Sequence, residues 1–165
     1  MAIRTPVPVE EYLRTRYPNP EPEYRDGEIE ERSVPDYKHG AAQASLAAFF
    51  RRERARRFYP ATETRLQLSP DRYVIPDVAV FYPVPPTERI PSSPPLIVIE
   101  VLSDDDRMSQ VREKLAEYRV WGVPHVWLVE PRTRRLYACE AILHEVTSLD
   151  LPDLGLSLAP SDIFD

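Results

Sequence analysis

Glu100 stands inside LIVIEVL, residues 96–102, the most hydrophobic stretch of the chain. An ionised carboxylate there costs on the order of several kcal/mol of desolvation unless something compensates it. Asp77 is a second acid in apolar surroundings, within VIPDVAVF, where Pro76 suits an edge or a bulge lacking a ladder hydrogen bond. Two carboxylates converging on one place repel, and a divalent cation with oxygen ligands, most readily magnesium, relieves that repulsion. The alternative for either acid alone is an ion pair with an arginine. Lys114 adds a third element. Of 21 basic residues only Lys38 and Lys114 are lysine. An ammonium can act as a compact point charge beside a reacting water or give up a proton, whereas a guanidinium stays planar and charged. A solvated lysine on a helix flank is the plainer reading of that residue taken alone.

The elements that must position these groups are legible in outline. A short helix around Val9 to Arg16 precedes a proline-punctuated connection in which little chemistry is expected, and residues 27–34 read as a polar edge strand. Asp36 can cap a helix from Tyr37 to Arg57. Along it His39, Gln43, Leu46 and Phe50 recur at helical spacing, so His39 and Gln43 share the apolar face. Tyr59 to Leu68 and Tyr73 to Phe81 read as paired strands about the turn at 69–72. LIVIEVL suits a central strand covered on both faces. Asp104, Asp105 and Asp106 can open a helix from Met108 to Trp121, with Met108, Val111, Leu115 and Tyr118 as its buried stripe. Lys114 falls at the border of that stripe, within reach of the sheet edge. Tyr118, Trp121 and Trp127 are expected to fill core. Two further strands, His125 to Glu130 and Arg134 to Cys139, follow. The order specifies an α/β fold with a mixed central sheet flanked by helices.

Composition narrows the class. The 165 residues, 42% apolar and 29% charged, fit a single domain spanning 1–165, with an N-terminal helix and Pro-rich connection at 1–26 and an acidic segment at 140–165. The longest apolar runs fall far short of the roughly 18 residues a membrane span needs. The N-terminus lacks a signal-peptide core, so a cytoplasmic protein without membrane contact is expected. Cys139 is alone and there are three histidines, which excludes an internal disulfide or a Cys/His zinc framework. The net charge of -6 argues against a basic nucleic-acid coat protein. All 21 basic residues nevertheless lie within 1–138, balanced there by 21 acids, so the body is neutral and the excess charge sits in the tail. The run RRERARR at 51–57 is a candidate phosphate-contacting patch or a solvated helix end.

The arrangement Pro76-Asp77, Glu100 and Lys114 resembles the PD-(D/E)XK nuclease superfamily. More narrowly, IEVLSDDD followed by EKLAEYRVWGVPHVWLVEP resembles the Uma-type putative restriction endonuclease family, from about Gly27 through His39 to the closing LGLSLAPSDIF. The resemblance implies a restriction-endonuclease-like fold and a metal-dependent endonuclease acting on DNA. It also implies magnesium or manganese on Asp77 and Glu100, with Lys114 assisting attack by water. The lysine usual two residues after the acid is replaced by Leu102, and Lys114 on the next helix matches the Uma-type pattern. His39 corresponds to a histidine typical of that family. His125 stands where an acid is more usual and is given no catalytic role. The carbonyl of Val101 adjoins Glu100 as an extra metal ligand, and His39 and Gln43 are candidates for supporting or phosphate contacts. A homodimer would address both strands of a duplex. The rival reading is a non-catalytic module that keeps the fold for binding, its acids buried and paired.

Overall fold

Proline and turn residues decide where the strands of the first half stop. The computed structural model describes residues 5–164; the parts of the 1–26 and 140–165 assignments that concern 1–4 and 165 lie outside the described residues. Helix α1 (Val9–Arg14) ends two residues before the expected Arg16, because Thr15 takes extended backbone and turns its N–H and hydroxyl back onto the Glu11 carbonyl. Its buried Tyr12 stacks on Tyr24 at 5.0 Å and donates its hydroxyl to the Pro22 carbonyl. Strands β1 (Glu23–Arg25) and β2 (Glu28–Glu30) form a hairpin through Asp26 and Gly27, both at positive φ (47° and 88°), the backbone a two-residue hairpin turn prefers. A Cβ on Gly27 would come within 2.8 Å of Pro6 Cβ.

The two expected long strands each divide. Residues 59–68 give β3 (Tyr59–Thr62) and β4 (Leu66–Ser69); residues 73–81 give β5 (Arg72–Val74) and β6 (Val78–Phe81). Strands β4 and β5 pair as a hairpin within an antiparallel sheet ordered β2-β1-β5-β4. Strands β3 and β6 pair instead in a six-stranded sheet, so between β3 and β6 the chain changes sheets twice. Pro76 sits at the second change, where no ladder donor is needed. Asp77 is therefore neither on an edge strand nor in a bulge, as the proline had suggested. It stands at the junction of the sheets, just before the internal strand β6.

The larger sheet is ordered β10-β9-β8-β7-β6-β3, where β7 is Ile97–Val101, β8 His125–Glu130, β9 Arg135–Cys139 and β10 Leu143–Val146. Its one parallel pair, β7 with β8, is bridged by helix α3 (Met108–Trp121), the connection such a pair requires. Side chains alternate across this sheet. Val78, Val80, Ile97, Ile99 and Val101 face helix α2 (Tyr37–Arg52) and pack on Ala42, Leu46 and Phe50. Ala79, Val98 and Leu128 face α3 and pack on Leu115 and Tyr118. Each fully buried Leu or Phe in these layers contributes about 1.5–3 kcal/mol relative to an exposed one. A small hairpin of β11 (Leu149–Leu151) and β12 (Leu156–Leu158), with helix α4 (Pro160–Ile163), completes the α2 layer.

Three further expectations are corrected. Helix α2 stops at Arg52, followed by a 3-10 turn at Glu53–Arg56 and a left-handed Arg57 (φ 68°). Two arginines of that run are engaged locally: Arg56 bonds Glu53 and the Leu154 carbonyl, and Arg52 lies over the Phe49 ring. The three aspartates do not open α3, whose cap is Arg107; Asp106 instead closes its own turn by accepting the Ser103 N–H at 2.7 Å. Met108 is exposed rather than part of the buried stripe.

Candidate active site

Alternation along β7 puts Glu100 on the α3 face, where an apolar residue would otherwise stand. Lys114 and Tyr118, four apart on α3, meet it together. The Tyr118 hydroxyl donates to Glu100 Oε1 at 2.6 Å, and Lys114 Nζ lies 2.9 Å from the same oxygen. Tyr118 is thus core, as its spacing indicates, but its polar end holds a site residue. Lys114 Nζ also lies 2.6 Å from Glu23 Oε1 on β1. Glu23 is only 4% exposed and additionally accepts the Ile75 N–H at 2.8 Å.

Asp77 is fixed from three sides. Its Oδ2 accepts the Val101 N–H at 2.6 Å, which ties the sheet junction to the end of β7. Its Oδ1 lies 3.3 Å from His39 Nε2 and 3.6 Å from Arg32 Nη2. His39 is buried at the start of α2, where Asp36 caps the helix by accepting the His39 N–H, and its Nδ1 has no hydrogen-bond partner among the described residues. Gln43, one turn on, donates to the Asp77 main-chain carbonyl and to Glu63 Oε1, each at 2.9 Å. Glu63 Oε2 in turn lies 2.6 Å from Arg32 Nη1.

One cavity of about 400 Å³ is lined by His39, Asp77, Glu100, Val101 and Lys114 together with Glu23 and Arg32. Gln43 stands one layer behind, holding the backbone of Asp77, and His125 packs on Trp127 outside the cavity. Glu23 and Arg32 escape sequence reasoning. Glu23 falls in the stretch that reads as connection and Arg32 in the one that reads as a polar edge strand, and one arginine among nineteen carries no signal. The three acids Glu23, Asp77 and Glu100 outnumber the ammonium between them. Burial, then the charges of Asp77 and Glu23, push the Glu100 carboxyl up to about 8, against the pull of Lys114 and the Tyr118 hydroxyl. Burial also works against ionised Asp77, but the His39 hydrogen bond and charge, the Val101 N–H and Lys114 outweigh it and hold that carboxyl below its usual range. Burial disfavours the Lys114 ammonium, yet Glu100 and Glu23 more than offset this and raise its pKa. Burial opposes the charged form of His39 as well, and Asp77 reverses the balance and raises it.

Such a site suits a further cation. Two carboxylates on one cavity, one of them driven toward its neutral form by burial and then by its neighbours, would gain from a divalent ion. Among the described residues no group of three or more His, Cys, Asp or Glu side chains is arranged to hold a metal. An ion held here would take two side-chain oxygens and complete its shell with a carbonyl and water, a set that magnesium accepts. In an extended strand the N–H and C=O of one residue point to the same edge. The Val101 carbonyl therefore shares the edge on which its N–H meets Asp77.

A family model, Uma2, described as "Putative restriction endonuclease", matches residues 9–163. Among solved structures, the crystal structure of a "putative nuclease belonging to DUF820" from Anabaena variabilis aligns with a TM-score of 0.82 at 22% sequence identity, covering 96% of this chain and 97% of that one. At that identity the likeness is one of fold. A search of curated proteins finds no match. No helix among the described residues is long and apolar enough to cross a membrane.

Proposed function

This chain belongs to the Uma2 family of restriction endonuclease-type proteins, and on that premise we propose that it is a magnesium-dependent endonuclease hydrolysing phosphodiester bonds in DNA. The observation that carries the reading is the convergence of Asp77, Glu100 and Lys114 on one cavity, with the Glu100 carboxyl pushed up to about 8 by burial and by the charges of Asp77 and Glu23. Asp77, Glu100 and the Val101 carbonyl would hold the ion; manganese would satisfy the same oxygens. When bound, a divalent ion supplies Lewis-acid neutralisation of phosphoryl oxygens and a water of lowered pKa.

The residues of the chain do the rest. Lys114, kept protonated by Glu100 and Glu23, acts as a hydrogen-bond donor and fixed charge that orients the attacking water and stabilises negative charge developing on the phosphoryl group. The raised pKa favours this charged, donating role over that of a general base. His39 and the Val101 N–H keep Asp77 ionised and aimed. Gln43 fixes the main chain of Asp77, and Tyr118 fixes one oxygen of Glu100 so that the other is free to turn toward a ligand. A homodimer would set two such sites against the two strands of a duplex.

The test is cleavage of plasmid and labelled oligonucleotides with magnesium, comparing wild type with Asp77→Ala, Glu100→Ala and Lys114→Ala. Loss of cleavage in all three is expected. Equal cleavage by all four proteins would trace the activity to a contaminant and sink the proposal.

A further inference from the structure

Apart from the catalytic cavity, a groove of about 240 Å³ opens between the start of α2 and the turn that follows β8. Tyr37, Lys38, Ala41, Arg132, Arg134 and Phe164 are among its lining residues. No acidic side chain among the described residues lines it, whereas acids outnumber lysines and arginines around the catalytic cavity. In a chain of net charge -6, a lining with Lys38, Arg132 and Arg134 and no acid favours an anion. Lys38, one of only two lysines, is exposed here, and no part of the proposed chemistry uses it.

The groove and the cavity are lined by neighbouring stretches of the chain. Lys38 precedes His39, which lines the catalytic cavity. The Leu102 N–H bonds the Val129 carbonyl at 2.8 Å, which fixes the turn after β8 beside the end of β7. Arg132 Nη1 is 4.0 Å from Asp104 Oδ1 in the loop leaving β7, but both side chains are mostly exposed (76% and 63%), and such a pair is too weak to hold a guanidinium against a phosphate. Arg134 lies over the Phe164 ring at 5.5 Å. Tyr37, 82% exposed, offers a flat face to a sugar or an unstacked base.

We propose that this groove binds the sugar–phosphate backbone of the nucleic-acid strand where it leaves the catalytic cavity, with Lys38 and Arg132 on phosphates and Tyr37 against the adjoining nucleoside. The proposal rests on the nuclease reading for its substrate. Phosphate contacts position a strand without reading its sequence, so the groove contributes affinity and register rather than specificity.

Fluorescence anisotropy with a labelled 20-nucleotide single strand and its duplex, in calcium instead of magnesium, tests the groove apart from the chemistry. Lys38→Glu and Arg132→Glu should each weaken binding about tenfold and make the dependence on log salt shallower by about one for each lost contact. Hydrolysis of bis(p-nitrophenyl) phosphate, too small to span both sites, should be unchanged in both variants. Unaltered DNA affinity and salt slope in the double variant would overturn the proposal. Equally tight binding of polyglutamate would also overturn it, marking the groove as a dock for an acidic protein. Wild-type protein that hydrolyses neither the small diester nor DNA would remove the nuclease reading, and the anisotropy series would still decide the groove.

Discussion

The ammonium of Lys114 lies 2.6 Å from the carboxylate of Glu23, a residue of the small sheet and not of the sheet that carries Glu100. Glu23 is held there by the Ile75 N–H and by Arg72, whose Nη2 is 3.7 Å away. Glu23→Gln should therefore leave Lys114 with Glu100 alone and let it drift toward that acid. Because small misplacements of a catalytic group are costly, cleavage should fall about 10- to 100-fold in kcat with KM little changed. A variant that cleaves at the wild-type rate would show that Lys114 needs no second anchor.

Tyr118→Phe keeps the ring that fills the core and removes only the hydroxyl on Glu100 Oε1. Glu100 then loses its orienting donor. The affinity for manganese, measured by calorimetry, should drop several-fold, while thermal stability changes by no more than about 1.5 kcal/mol. An unaltered binding isotherm would count against a positioning role for Tyr118.

Glu100→Gln should make the metal-free protein more stable. The native site holds an acid whose ionised form is disfavoured first by burial and then by Asp77 and Glu23, and Lys114 retains Glu23 when that charge is gone. A gain of about 1 kcal/mol would raise the melting temperature by about 2–4 °C at this chain length. Magnesium should stabilise the wild type and not the variant. A lower melting point in the variant, measured by calorimetry in EDTA, would mean that the Lys114 pair outweighs the repulsion.

Acid sensitivity should reside in Glu117. Burial opposes its charge, but hydrogen bonds from Arg72 and Arg25, with their charges, hold its carboxyl below the usual 4.5. A group depressed on folding contributes stability that is complete above its unfolded pKa and is lost as the pH falls through the folded one. Glu117→Gln should thus be less stable at pH 7 by about 2 kcal/mol, with the difference from wild type shrinking as the pH falls below 4.5. Urea unfolding across that range measures it, and parallel pH profiles would refute the assignment.

How far the site could be read from the sequence follows from where each residue's signal lies. Glu100 and Asp77 stand out because each is an acid among apolar neighbours, and Lys114 because lysine is scarce. Those signals are local, and the fold class follows from equally local periodicities. Glu23 and Arg32 depend on a pairing that is not local: β1 finds β5 across some fifty residues of chain, with Tyr24 opposite Tyr73. No spacing within EPEYRDGEIEER announces that partner. Asp104, Asp105 and Asp106 misled in the opposite way, because a short acidic run suits a helix start as well as a turn that closes on itself, and only the Ser103 contact separates the two.

The crossing at Ile75, Pro76 and Asp77 fixes more than the direction of one side chain. Both ends of this three-residue bridge are pinned, by the pairing of Val74 with Leu66 in one sheet and of Val78 with Ile99 in the other. Inserting or deleting one residue would leave each sheet able to form while changing the path between them and with it the aim of the Asp77 carboxylate at the Val101 N–H. Length here matters more than identity. Ile75→Val leaves the crossing intact, whereas a one-codon insertion between Val74 and Val78 is expected to give a folded protein without a site.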